Sequence, residues 1–75
     1  MHVTIAKVNE VLYDGDVHSL TVPGAEGEMT LLAKHMPIIT TLHQGVITVH
    51  AEEKKEFPIT EGILEVGKEG VVVIL

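Results

Sequence analysis

Apolar and polar residues alternate along most of this chain. In the stretch His2 to Val8, Val3 and Ile5 fall on one side of an extended backbone, with His2 and Thr4 on the other. From Asp16 to Val22, Leu20 and Val22 share a face opposite Val17, Ser19 and Thr21. From Gly45 to Ala51, Ile47, Val49 and Ala51 oppose Val46, Thr48 and His50. Phe57 and Ile59 form a further pair, and Leu64 and Val66 oppose Ile63 and Glu65. A period of two is the mark of strands with one buried face.

Glycine and proline break these runs at short intervals: Asp14-Gly15, Pro23-Gly24, Glu26-Gly27, Gly45, Gly62, Gly67 and Gly70 read as turns or strand starts. Asp14-Gly15 is expected to be a tight hairpin turn. The run Glu52 to Glu56 is expected to be a charged hairpin tip. Pro58 donates no ladder hydrogen bond, so its strand belongs at an edge or carries a bulge. No window holds a helical period over ten residues. The stretch Met29 to Met36 has room for one helical turn, tightly bracketed by Thr30 and Pro37. These signals predict one all-β domain over residues 1–75, a small β-sandwich or flattened barrel of about 8–10 short, mostly antiparallel strands.

Composition narrows the function. The chain has 75 residues, 45% hydrophobic and 3% aromatic, with Tyr13 and Phe57 the two aromatic residues. The core is therefore built from Val, Ile and Leu, which suit a pleated surface. A chain this short buries roughly 60% of its unfolded surface, a thin margin of stability. It has no cysteine, which excludes disulfides and thiolate metal sites. Eleven acids against five lysines, with no arginine, leave a net charge of −6. Nucleic acid is excluded as a partner on this balance, and so is direct insertion into anionic lipid. The longest apolar run, Val71 to Leu75, is far short of the ~20 residues of a membrane helix.

The residues offer little catalytic chemistry. The histidines, at positions 2, 18, 35, 43 and 50, form no compact ligand pair, and no metal site is expected. His18 and Ser19 are neighbours on a strand and point to opposite faces, so they do not make a base–nucleophile pair. Glu26 and Glu28 resemble paired carboxylates, but at a turn such acids usually solvate the loop. Pro23-Gly24-Ala25-Glu26-Gly27 lacks the Gly-Lys ending of a phosphate loop. No catalytic residue and no cofactor is expected. Lys54 and Lys55 raise the alternative of a lipoyl or biotinyl carrier domain, which presents a lysine on a hairpin tip. The lysine here is flanked by Glu53 and another lysine, which does not match the Asp-Lys-Ala or Met-Lys-Met of those families. A stand-alone structural β domain is a third reading.

Taken in order, the motifs resemble the N-terminal β-sandwich domain of the epsilon subunit of F-type rotary ATP synthase. The resemblance rests on Val22-Pro23-Gly24, on Gly27-Glu28 opening a strand, on the corner His35-Met36-Pro37, and on Thr40 to Gly45 leading into the next strand. It continues through Gly62-Ile63-Leu64-Glu65-Val66 into the valine-rich end, and covers His2 to Leu75. Ala33-Lys34 replaces the family's usual Pro-Gly, Glu61-Gly62 replaces a glycine pair, and Pro58 replaces an ordinary strand residue.

The resemblance implies a subunit of the rotor without an active site of its own. It implies two partners, the gamma subunit and the ring of c subunits, in a complex held peripherally at the cytoplasmic face of a bacterial membrane. It implies coupling of proton or sodium flow to ATP synthesis. It also implies that Glu26, Gly27, Glu28, His35, Met36 and Pro37 lie at the end facing the c-ring. Exposed apolar residues on one sheet are expected where gamma is met. The pair of C-terminal helices found in many family members has no counterpart up to Leu75.

Overall fold

The computed structural model describes residues 1–33 and 37–75. Among these, nine strands and no helix are present: β1 (His2–Lys7), β2 (Glu10–Asp16), β3 (Ser19–Gly24), β4 (Gly27–Leu32), β5 (Ile38–Leu42), β6 (Gly45–His50), β7 (Lys54–Ile59), β8 (Gly62–Gly67) and β9 (Gly70–Ile74). The all-β expectation and the expected number of strands both hold. Met29 to Leu32 extend as β4 rather than forming a helical turn.

The strands form two halves. One has the order β4-β3-β6-β7 and the other β5-β8-β9-β1-β2. They are joined where Gly24 of β3 bridges Leu42 of β5, beside the His43 N–H that donates to the Pro23 carbonyl at 2.9 Å. All pairings are antiparallel except that of β1 with β9. The alternating residues now have their destination. Val3, Ile5, Leu20, Val22, Ile47, Val49, Leu64, Val66, Val71 and Val73 join one core drawn from both halves.

Three expectations are corrected. Asp14-Gly15 is not a turn. It lies inside β2, with Asp14 opposite Thr4 and Gly15 opposite Val3, and the chain reverses instead at Val8-Asn9. β2 is an edge strand, where a glycine costs little pairing and the Asp14 carboxylate accepts from Thr4 Oγ1 at 3.3 Å. Val17 does not face away from the core. It is buried in the link between β2 and β3, where its N–H donates to the Met1 carbonyl at 2.8 Å and the strand phase is reset. The charged tip is shorter than residues 52–56: the chain turns at Ala51 to Glu53, and Lys54, Lys55 and Glu56 are already in β7.

Edges are guarded. In β2, Ile5 pairs with Tyr13 and Ala6 with Val11, so Leu12 is an extra residue in a bulge. Leu12 and Tyr13 consequently both reach the core. β7 carries two lysines, a glutamate and Pro58 at the opposite edge, as the proline required.

Gly15 yields a clear test of this register. The atoms nearest a Cβ there are the Tyr13 hydroxyl and ring carbons, at 3.6–3.8 Å, an ordinary contact. Gly15→Ala is therefore expected to stabilise the domain by about 0.4–1 kcal/mol, through the entropy of the unfolded chain. Denaturant titration checks this; a loss of stability would instead indicate a turn at Asp14-Gly15.

Candidate interaction surface

The β3–β4 hairpin presents the first group of expected site residues. Its turn is Gly24-Ala25-Glu26-Gly27, and the same Gly-x-Glu-Gly pattern recurs in the β8–β9 hairpin as Gly67-Lys68-Glu69-Gly70. The closing glycine has positive φ in both, 126° at Gly27 and 137° at Gly70. Gly27 is thus a backbone requirement of the turn. Glu26 and Glu28 are exposed, and neither makes an ion pair among the described residues. Residues Ala25 to Met29 share an open depression of about 360 Å3 with Ile38, Ile39 and Thr40. Pro37 is exposed immediately before β5. His35 and Met36 lie outside the described residues.

A second surface emerges from the pairing register of the five-stranded half. On its outer face, Thr41, Ile63, Ile74, Ala6 and Val11 stand side by side across β5, β8, β9, β1 and β2. The next row is Ile39, Glu65, Val72, Thr4 and Asp14. Ile39 is 73% exposed, Val11 62%, Ile63 51%, Ile74 48% and Val72 37%, so this is a continuous apolar patch rather than scattered residues. At its margin His2 contacts Asp14 at 2.5 Å and Asp16 at 3.5 Å.

The outer face of the other half differs. Thr30, Thr21 and Thr48 form one row across β4, β3 and β6, ending at Glu56 of β7. Thr21 Oγ1 lies 3.2 Å from both Thr30 Oγ1 and His50 Nε2. Hydroxyls that satisfy one another suit a solvated face.

Chemistry-bearing groups are dispersed. No polar or charged side chain is buried among the described residues, and no three of their His, Asp and Glu side chains are grouped for a metal. Lys54 and Lys55 pair in the β6–β7 ladder with His50 and Val49, and Lys55 Nζ lies 5.7 Å from the Tyr13 ring centroid. Standing in the strand rather than on the tip, they do not favour a carrier domain.

Comparison with known proteins gives a consistent result. Residues 1–75 match the family described as "ATP synthase, Delta/Epsilon chain, beta-sandwich domain". The ATP synthase epsilon chain of Caulobacter vibrioides is 36% identical over 99% of this chain and 87% of its own length. That of Sulfurimonas denitrificans is 41% identical over 89% of this chain, but over 53% of its own length. The chain thus spans most of one relative and about half of the other. Among solved structures, a chain of the Euglena gracilis mitochondrial ATP synthase, resolved as OSCP, F1 and c-ring, matches 96% of this chain with a TM-score of 0.86 and 28% identity, over 48% of its own length. A chain of the Tetrahymena thermophila mitochondrial ATP synthase central stalk and c-ring matches in fold, with a TM-score of 0.80 at 16% identity.

Proposed function

The chain belongs to the ATP synthase delta/epsilon-chain β-sandwich family, and from that membership we propose that it serves as a non-catalytic part of the central stalk, joining the gamma subunit to the c-ring. The observation that carries this reading is the apolar patch on the outer face of the five-stranded half. A 75-residue domain gains nothing by leaving Ile39, Ile63, Val72 and Ile74 in water, and a covered face recovers their hydrophobic stabilisation. We assign that face to gamma. A close-packed β body suits the transmission of torque.

The ring-facing end in this proposal holds Glu26, Gly27 and Glu28, with His35, Met36 and Pro37 as its other residues. Exposed carboxylates that make no ion pair among the described residues are available to cations on the c-ring loops. The complex would sit peripherally at the cytoplasmic face of a bacterial membrane and couple proton or sodium flow to ATP synthesis.

Glu28→Lys tests the ring contact. Its side chain is exposed and makes no ion pair among the described residues, so stability should change by no more than about 0.5 kcal/mol. Co-purification with gamma and the c-ring should weaken, by up to several kcal/mol where the partner cation is desolvated. A large fall in melting temperature with binding lost only in proportion would make Glu28 structural. Failure of the unaltered chain to assemble with a synthase core lacking epsilon would end the rotor reading.

A further inference from the structure

Glu65 stands in the middle of the apolar patch. Ile39 of β5 and Val72 of β9 lie directly opposite it on either side, and Ile63 is two residues back on the same face of β8. It is exposed, and it makes no ion pair among the described residues, whose ion pairs are those of His2 with Asp14 and Asp16. Lys68 borders the same open depression as Glu65, together with His2, Thr4 and Glu69, yet is not within ion-pair distance of it.

In water an isolated carboxylate is fully hydrated and costs nothing. Once a partner covers Ile39, Ile63, Val72 and Ile74, the same carboxylate is enclosed by apolar side chains, and its lost hydration must be replaced. This chain has no arginine, and Lys68, the lysine bordering the same depression, is not within ion-pair distance of Glu65. A cation from the partner supplies the replacement most directly.

We propose that Glu65 is the charge key of this face: the partner places a single arginine or lysine on it, within a ring of apolar side chains. The proposal rests on the docking of gamma assigned above and adds the feature that fixes its register. Burial of an apolar patch alone is non-directional. One enclosed ion pair admits few alignments, because a shifted partner leaves both charges unpaired. Arginine is the better fit, since its planar fork gives a carboxylate two parallel hydrogen bonds and is more weakly hydrated than an ammonium. Thr4, Thr41 and Asp14 stand in the same two rows and supply the polar rim.

The test is calorimetric titration of the complete chain with the purified gamma subunit of its own synthase, at low and moderate salt, for the unaltered chain, Glu65→Gln, and the double variant Ile63→Thr/Ile74→Thr. Glu65→Gln is expected to weaken binding about 30-fold or more, to reduce its salt dependence, and to leave the melting temperature of the free domain unchanged. Should Glu65→Gln bind within about twofold of the unaltered chain while the double variant fails, the face docks gamma without a charge key and the proposal falls alone. Should neither variant lose affinity, the docking face itself is wrong. A melting temperature that drops in step with affinity in Glu65→Gln would give Glu65 a structural role and likewise overturn the proposal.

Discussion

Gly70→Ala is expected to destabilise the domain by about 3 kcal/mol or more, lowering its melting temperature by roughly 12–24 °C. Two costs add at this position. The φ of 137° lies where side-chain-bearing residues are strained, by about 1–3 kcal/mol. A Cβ would also fall 2.4 Å from the His2 carbonyl oxygen and 3.2 Å from the His2 carbonyl carbon and Cβ. Backbone cannot yield as a flexible side chain does. Displacing His2 would pull β1 away from β9, whose parallel ladder starts at the next pair, Val3 with Val71. A 75-residue domain typically has about 4–11 kcal/mol in all, so the loss consumes a large share. Two other glycines grade the effect. Gly27 has the positive φ, 126°, but open space around its Cβ position, so alanine there should cost about 1–2 kcal/mol from strain alone. Gly67, in the same hairpin as Gly70, has neither constraint, and its alanine variant should be near neutral. Thermal melts of the three variants check the order; equal effects would refute the close approach of Gly70 to His2.

Much of this fold was legible because alternation is a local signal. Val3 with Ile5, Leu20 with Val22, Ile47 with Val49 and Leu64 with Val66 are all buried, as the period of two required. Local signals failed where a partner strand decided the outcome. Asp14-Gly15 has the composition of a hairpin turn, yet pairing with Val3 and Thr4 holds it extended. Val17 kept its apolar character while the link after β2 changed its direction. The repeated Gly-x-Glu-Gly was present in the sequence as a turn signature, and it is visible as one unit only when both hairpins are compared.

The candidate surfaces divide in the same way. Glu26 is exposed because it lies in the turn, and Glu28 because it stands in β4 two residues from exposed Thr30, out of phase with buried Leu31. The apolar patch depends on five strands from both ends of the chain, including the parallel neighbours β1 and β9, and such a register has no local signature. One sequence cue did exist. Val71 to Leu75 does not alternate, and Ile63 faces away from Leu64 and Val66, so these strands have apolar residues on both sides. In the proposed assembly, the second apolar side is the one that gamma covers.

That external contact leads to the largest functional effect expected. Ile63→Thr/Ile74→Thr should weaken binding to gamma about 30–100-fold while leaving the fold in place. Ile63 and Ile74 are cross-strand neighbours in the middle of the apolar row, about half exposed in the free domain at 51% and 48%. Covering a whole aliphatic side chain is worth about 1.5–3 kcal/mol, so the exposed halves of two contribute roughly 1.5–3 kcal/mol, a range that brackets that loss of affinity. Threonine keeps the branched Cβ that strands favour, and Thr4 and Thr41 already occupy this face. Neither isoleucine belongs to the buried core, so stability should change by no more than about 0.5 kcal/mol per site. Val46→Thr is the matching control. It is 44% exposed but lies in the four-stranded half, opposite Pro58, and its loss should not affect gamma binding. If Val46→Thr abolished the complex while the double threonine variant retained it, the docking face would be the other sheet. If both variants bound normally, the exposed apolar row would need another occupant.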